Sequence, residues 1–336
     1  MLELAVQLTR IIVPVIVLVG VVSNVLNIIL LTRRTLIHHA CSHYFLALAM
    51  TNLFYSSCLL VMNLLADGYQ LDVSRHSAVL CKLMSYLLNA CPSLSVYFLV
   101  LASADRCCAS SVSATRRRFS NVRTARWAIF IVTLVVAVFF VGTLIAFDLS
   151  PDGMLGCTVQ SDLLFNQIFL VLILIVYVFI APSSMLLFGC LTIYNTKQVR
   201  LIPMRSSRYR RTERQLSNML IVQVGVHVLL ILPFCVTFFM LILPIQARFT
   251  VDFIAVFMIT KLPFYLTVTT AFFLYVLTGS IYRHELLRLA HRLFGKFQEH
   301  RIHDANNRDT ILSLDITATH RSFTERSQPS IMPIVN

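Results

Sequence analysis

Long apolar runs alternate with short polar stretches along most of the chain. The runs at 11–31, 44–66, 83–104, 127–147, 163–194, 215–243 and 253–278 each reach or exceed the ~20 residues a helix needs to cross ~30 Å of hydrocarbon. The first five contain no Asp, Glu, Lys or Arg, and the seventh contains one such residue, Lys261. A helix satisfies its own backbone in lipid, so the pattern predicts seven spanning helices in an all-α bundle. The fifth and sixth runs are longer than needed, which predicts tilt or projection beyond the bilayer. Pro14, Pro92, Pro182, Pro233 and Pro263 fall inside runs, and each removes a helix hydrogen bond and favours a kink. After the last run, "SIYRHELLRLAHRLFGKF" sets Tyr282, Leu286, Leu289, Leu293 and Phe297 near one face. That predicts an amphipathic eighth helix over 279–298, lying in the membrane interface. The polar stretch 299–336 is expected to be a disordered tail.

Composition agrees with lipid as the main solvent. Of 336 residues, 57% are hydrophobic and 13% charged, against a usual charged share of about a quarter. The net charge of +13 would suggest nucleic acid in a soluble protein. Here the basic residues lie between apolar runs, which points to membrane topology and anionic lipid instead, with no nucleic-acid partner. Of the 28 Lys and Arg, 23 fall in 32–43, 105–126, 195–214 and the stretch from 279 onward. The alternate segments 1–10, 67–82, 148–162 and 244–252 hold only Arg10, Arg75, Lys82 and Arg248. The positive-inside rule then places the rich side in the cytoplasm and a short N-terminal segment, 1–10, outside. The first run is too long for a signal h-region and is expected to remain as an anchor.

Nine cysteines occur without paired CxxC spacing, so no metal centre is expected. Cys81 and Cys157 are the two on the outward side, which predicts a disulfide between the second outer loop and the third span. No paired aspartates, HExxH or GxSxG occur, so neither a catalytic site nor a cofactor is expected. Arg106 follows Cys81 by 25 positions, about 37 Å of helix at ~1.5 Å per residue. Asp105 and Arg106 therefore fall at the inner interface, where charge is tolerated.

The order of several motifs resembles the rhodopsin-like G-protein-coupled receptors from about residue 10 to 297. "GVVSNVLNIILL" resembles the first-helix motif, with Asn24 as its asparagine, and "LALAMTNLF" the second-helix motif. "DRC" resembles the Asp-Arg-Tyr motif, and Trp127 sits where the fourth helix has its own tryptophan. Pro182 and Pro233 match the fifth- and sixth-helix prolines, and "AFFLYVLTGSIYRHEL" resembles the Asn-Pro-x-x-Tyr segment, with Tyr275 as the tyrosine. The resemblance implies a plasma-membrane receptor that converts an extracellular ligand, peptide or small molecule, into activation of a heterotrimeric G protein through displacement of the sixth helix. It also implies arrestin and receptor-kinase partners. In this reading Arg106 pairs with Asp105 and with Glu213 as an inner clamp, and Tyr275 belongs to the same coupling region.

The chain also departs from the family pattern. The second-helix acid that holds sodium is Asn52, leaving Asn24, Asn52 and Ser95 as an expected neutral polar network. The seventh-helix asparagine is Ala271, the proline of the last motif is Phe272, the fifth-helix tyrosine is Cys190, and Ile231 and His227 replace sixth-helix aromatics. Leu88 stands where aminergic receptors carry their acid, and Tyr265 where opsins carry the retinal lysine. The resemblance places a ligand pocket at Asn63, Leu88, Asn89, Phe234, Phe238, Lys261 and Tyr265, with Lys261 a candidate for an anionic ligand group. Outward acids (Glu3, Asp67, Asp72, Asp148, Asp152, Asp162, Asp252) outnumber outward bases, favouring a ligand with a cationic part, first of all a short peptide. The competing readings are a non-signalling decoy with receptor architecture and a membrane transporter, although no internal repeat is visible.

Overall fold

A computed structural model describes residues 1–149, 157–159, 164–199, 207–242 and 250–291, with backbone alone at 158–159, 166, 170, 197, 199, 207–217 and 241–242. Two units make up the chain, Met1–Arg283 and His284–Asn336. Within the first run seven long apolar helices: α1 Leu2–Leu31, α2 Ala40–Gly68, α3 Ala78–Ser110, α4 Val122–Ala146, α5 over 164–199, α6 Ser207–Ile242 and α7 Val251–Thr278. They match the seven expected spans in order. Of positions 279–298, where an eighth helix was expected, 280–291 are helical, with Glu285 paired to Arg288 at 2.8 Å; 292–298 and the expected tail 299–336 lie outside the described residues.

Lipid inverts the usual burial pattern. On α1 the buried face runs Ala5, Thr9, Val13, Ile16, Gly20, Ser23, Asn24 and Asn27, at spacings of three and four, while Ile11, Val15, Leu18 and Val22 are exposed. Exposed apolar side chains cost nothing against acyl chains. Helix association rests instead on close packing and interhelical hydrogen bonds. A Cβ added at Gly20 would sit 3.0 Å from Ser56 Cβ, so this glycine lets α1 and α2 approach closely. The first ten residues, expected as a separate terminus, form the first turns of α1, because Leu2, Ala5 and Val6 pack on Ala255, Met258 and Ile259 of α7.

Two helices widen locally into π turns. In α5 the stretch Ile175–Ile180 precedes Pro182, whose missing N–H frees a carbonyl one turn back. Tyr97 of α3 donates to Val176 O at 2.9 Å, binding the widened turn to its neighbour. In α2 the stretches Tyr55–Leu59 and Leu64–Gly68 widen with no proline present. Ser56 Oγ donates to Asn52 O at 2.6 Å, competing for a carbonyl that the backbone ladder would use.

At one end of the bundle two short antiparallel strands, β1 Phe147–Leu149 and β2 Cys157–Val159, pair Leu149 opposite Cys157. Cys157 is disulfide-bonded to Cys81 at the start of α3, with Cα atoms 5.4 Å apart. The bridge expected from the sequence is therefore formed. Asp105 and Arg106 lie near the other end of α3.

Candidate functional sites at the two ends of the bundle

At the Arg106 end, α3 carries Asp105 and Arg106 into the interior. Arg106 is 1% exposed and is the largest fully buried side chain among the described residues. Its Nη2 lies 2.5 Å and its Nε 3.2 Å from Asp105 Oδ2. Burial of a charge this deep requires such a partner, because an unpaired guanidinium in an apolar core would cost several kcal/mol. Asn195 of α5 donates to Cys107 O at 3.3 Å and reaches Ser110 Oγ at 3.5 Å, holding α5 against the same end of α3. The helix α6 runs through position 213, but the Glu213 side chain lies outside the described residues.

Between α7 and α6, Tyr275 donates to Gln223 Oε1 at 2.7 Å, with both residues buried. The Tyr275 ring packs on Phe45 of α2 at 4.9 Å and edge-on against Tyr282 at 5.7 Å. Tyr282 in turn donates to Asn27 of α1. Two hydrogen bonds and the ring contacts between them thus join α1, α2, α6 and α7. The sequence reading singled out Tyr275 but missed Gln223 and Asn27. Their signal was present, an amide inside an otherwise apolar run, where a polar group needs a partner.

Mid-bundle, Ser95 of α3 donates to Asn52 Oδ1 of α2 at 2.8 Å. Asn24 does not join them directly. Its amide donates to Gly20 O at 2.8 Å and to Val268 O of α7 at 2.9 Å, tying α1 to α7 instead. The expected three-residue network is therefore a pair plus a separate tie. His227 on α6 is buried, and its Nε2 has no hydrogen-bond partner among the described residues. Trp127 faces outward at 61% exposure, edge-on to Phe130.

At the Cys81 end, the expected ligand residues fall on two kinds of wall. Phe234 of α6 stacks on Phe264 of α7 at 4.8 Å and lies within 6 Å of both Phe238 and Phe257. Tyr265 is buried beside Phe264. The polar members are partly committed. Asn63 and Asn89 donate back to Leu59 O and Ser85 O of their own helices, and Leu88 is half-buried on α3. Lys261 is not a free ammonium: its Nζ lies 2.9 Å from Asp67 Oδ2 and 5.0 Å above the Phe257 ring. The second π turn of α2, Leu64–Gly68, ends the helix around Asp67, and Arg10 Nε of α1 donates to Gly68 O at 2.6 Å. Helices α1, α2 and α7 are thereby linked at this end.

Among the described residues, three ion pairs neutralise charge at this end. Besides Asp67 with Lys261, Asp72 pairs with Arg75 at 3.4 Å and Asp148 with Lys82 at 3.3 Å. The Leu149 backbone N–H, and after it Lys82, hold the Asp148 carboxyl below its ordinary value. Each pair removes one acid and one base, so the surplus of acid counted from the sequence stands, carried by the acids outside these pairs. Asp152, Asp162 and Arg248 lie outside the described residues. Among the described residues no group of three or more His, Cys, Asp or Glu is placed to hold a metal ion.

Compared with known proteins, residues 23–281 match the family model described as 7 transmembrane receptor (rhodopsin family). No curated protein matches the chain.

Proposed function

Because the chain belongs to the rhodopsin family of seven-transmembrane receptors, a family of signalling receptors and not of enzymes, we propose that its Arg106 end faces the cytoplasm and couples to a heterotrimeric G protein. The general partners that the family carries are an extracellular ligand and a G protein, and the chain is a multi-pass membrane protein. The single observation that supports the coupling reading is Arg106, buried to 1% exposure against Asp105 at the end of the bundle opposite the disulfide. A charge costs too much to hold there by accident of packing, and removing one partner of such a pair costs about 3–5 kcal/mol because the other charge is left buried and uncompensated. Displacement of α6 then opens a groove beside Arg106 for a G-protein segment, and an agonist favouring the open form shifts the balance. In this reading Glu213 supplies a second carboxylate to the clamp, the N-terminus lies outside, and arrestin and a receptor kinase act on the cytoplasmic face.

The ligand proposed is a short peptide. The aromatic wall of Phe234, Phe257 and Phe264 suits an apolar or aromatic side chain. The Asp67–Lys261 pair offers a carboxylate and an ammonium that a ligand bearing both charges can exchange for its own. An anion alone would have to displace Asp67, and a cation alone Lys261, so a doubly charged ligand loses least. The test is a peptide and small-molecule library screened in cells expressing the chain with a promiscuous Gα subunit. Agonist-driven G-protein activation supports the reading. Binding with no activation across G-protein classes makes the chain a decoy, and ligand flux into sealed vesicles makes it a transporter.

A further inference from the structure

A cavity of about 210 Å³ lies between α3, α5 and α6, within one helical turn of Arg106 on α3. Ser103 of α3, Met185, Gly189 and Cys190 of α5, and Val224 and Gly225 of α6 form its walls. The lining is almost wholly apolar and contains no charged residue. Its hydroxyls are already spent, Ser103 on Leu99 O at 2.8 Å and Thr192 on Phe188 O at 2.7 Å. Small residues on facing helices leave the space open: a Cβ at Gly189 or Gly225 would meet nothing within 4 Å. Helix α6 packs extensively on α7 but only sparsely on α5, so the cavity marks a loosely filled seam. Leu186 and Cys190 at its rim are exposed on the outer face of membrane-spanning helices, so the mouth opens onto lipid and not onto water.

We propose that this cavity is a binding site for the end of a lipid acyl chain. A void left empty forfeits the dispersion contacts of every atom lining it, and only the bilayer can supply an occupant through this mouth. The volume is below the ~300–1,000 Å³ that encloses a drug-sized ligand, so it admits the terminal stretch of a flexible chain whose remainder stays in the membrane. A rigid sterol nucleus would not enter. No polar anchor is offered, so the head group does not decide binding. The walls on α6 move away if α6 leaves α3, and an inserted chain therefore favours the arrangement in which Arg106 is buried.

The test uses the full chain in nanodiscs of phosphatidylcholine, a fraction of which carries a diazirine at the end of one acyl chain. After irradiation, labelled peptides are mapped by mass spectrometry. Label is expected on 185–193 and 220–225 at about five times its density on the equally lipid-exposed face of α4, the enrichment a filled void gives over sliding surface contact. The double variant Gly189→Leu with Gly225→Leu fills the space and should reduce the label there to the α4 level while leaving α4 unchanged. Label no denser than on α4, or undiminished in a folded double variant, overturns the proposal. So does loss of label when cholesterol is added, which would make the site a sterol site. Should the double variant fail to fold, the wild-type ratio between the seam and α4 still decides.

Discussion

Replacing Tyr275 with Phe removes one oxygen and leaves the Gln223 side-chain carbonyl without its donor, in a residue 2% exposed. The bond joins α7 to α6 and survives only while the two stay side by side, so its loss falls on the closed arrangement. Hydrogen bonds between membrane helices average only about 0.6 kcal/mol in double-mutant cycles, because stranded groups find new partners. A buried acceptor stripped of its only donor costs about 1–3 kcal/mol. Gln223 makes no other side-chain hydrogen bond among the described residues, so about 1.5 kcal/mol is the expected cost, roughly a twelvefold change in the closed-to-open ratio. From an open population of about 5%, this raises the open share to about 40%. The assay is an electron-spin distance measurement in nanodiscs, with labels on unnatural amino acids at Phe119 and Val222, both exposed. Gln223→Leu should produce a similar shift, and the double variant no more than either single one. An unchanged distance distribution in Tyr275→Phe, or simply additive effects in the cycle, would refute the latch.

Four further outcomes are expected. The melting temperature of the purified chain should be the same in sodium and choline chloride at equal ionic strength, since Asn52 offers no carboxylate and its Oδ1 is bonded to Ser95; a clear sodium-specific rise would count against this. Lys261→Met and Asp67→Asn should each destabilise the chain by about 1–2 kcal/mol, a value discounted for partial exposure, with the double variant less affected than either; thermal melts of all four forms would expose simple additivity as a failure. Gly142→Leu should lower the melting temperature by an amount equivalent to about 1–3 kcal/mol, because a Cβ there would overlap the Phe169 ring; an unshifted melt would contradict the α4–α5 contact. The Asp148 carboxyl is held below its ordinary value near 3.8, so its contribution is present above that pH and is lost as pH falls through the lowered value. Asp148→Asn should flatten the acid limb of stability against pH, and an unaltered limb would remove Asp148 from it.

The architecture was legible because lipid imposes a length rule that sequence displays directly. Seven runs of sufficient length gave seven helices, and two outward cysteines gave one disulfide. What stayed hidden depended on register and local backbone. The π turns of α2 carry no proline to announce them, only the serines at 56 and 57, which read as ordinary small residues. They nevertheless set where Asp67 ends up, and so gave Lys261, read as a candidate ligand group, a carboxylate partner. Asn24 was read with Asn52 because the family resemblance groups them around a sodium site, but its position on α1 brings its amide to the Val268 carbonyl. The Gln223–Tyr275 bond was hidden for the same reason: each residue was visible, and only the packing of α6 on α7 pairs them.

Nucleotide exchange on a purified heterotrimeric G protein, driven by the chain in nanodiscs, tests most directly whether Arg106 guards a coupling site. Asp105→Asn removes the charge holding Arg106 and should raise exchange well above wild type, while Arg106→Gln should abolish that gain. Exchange no faster than with empty nanodiscs in all three forms, across every G-protein class, would contradict it.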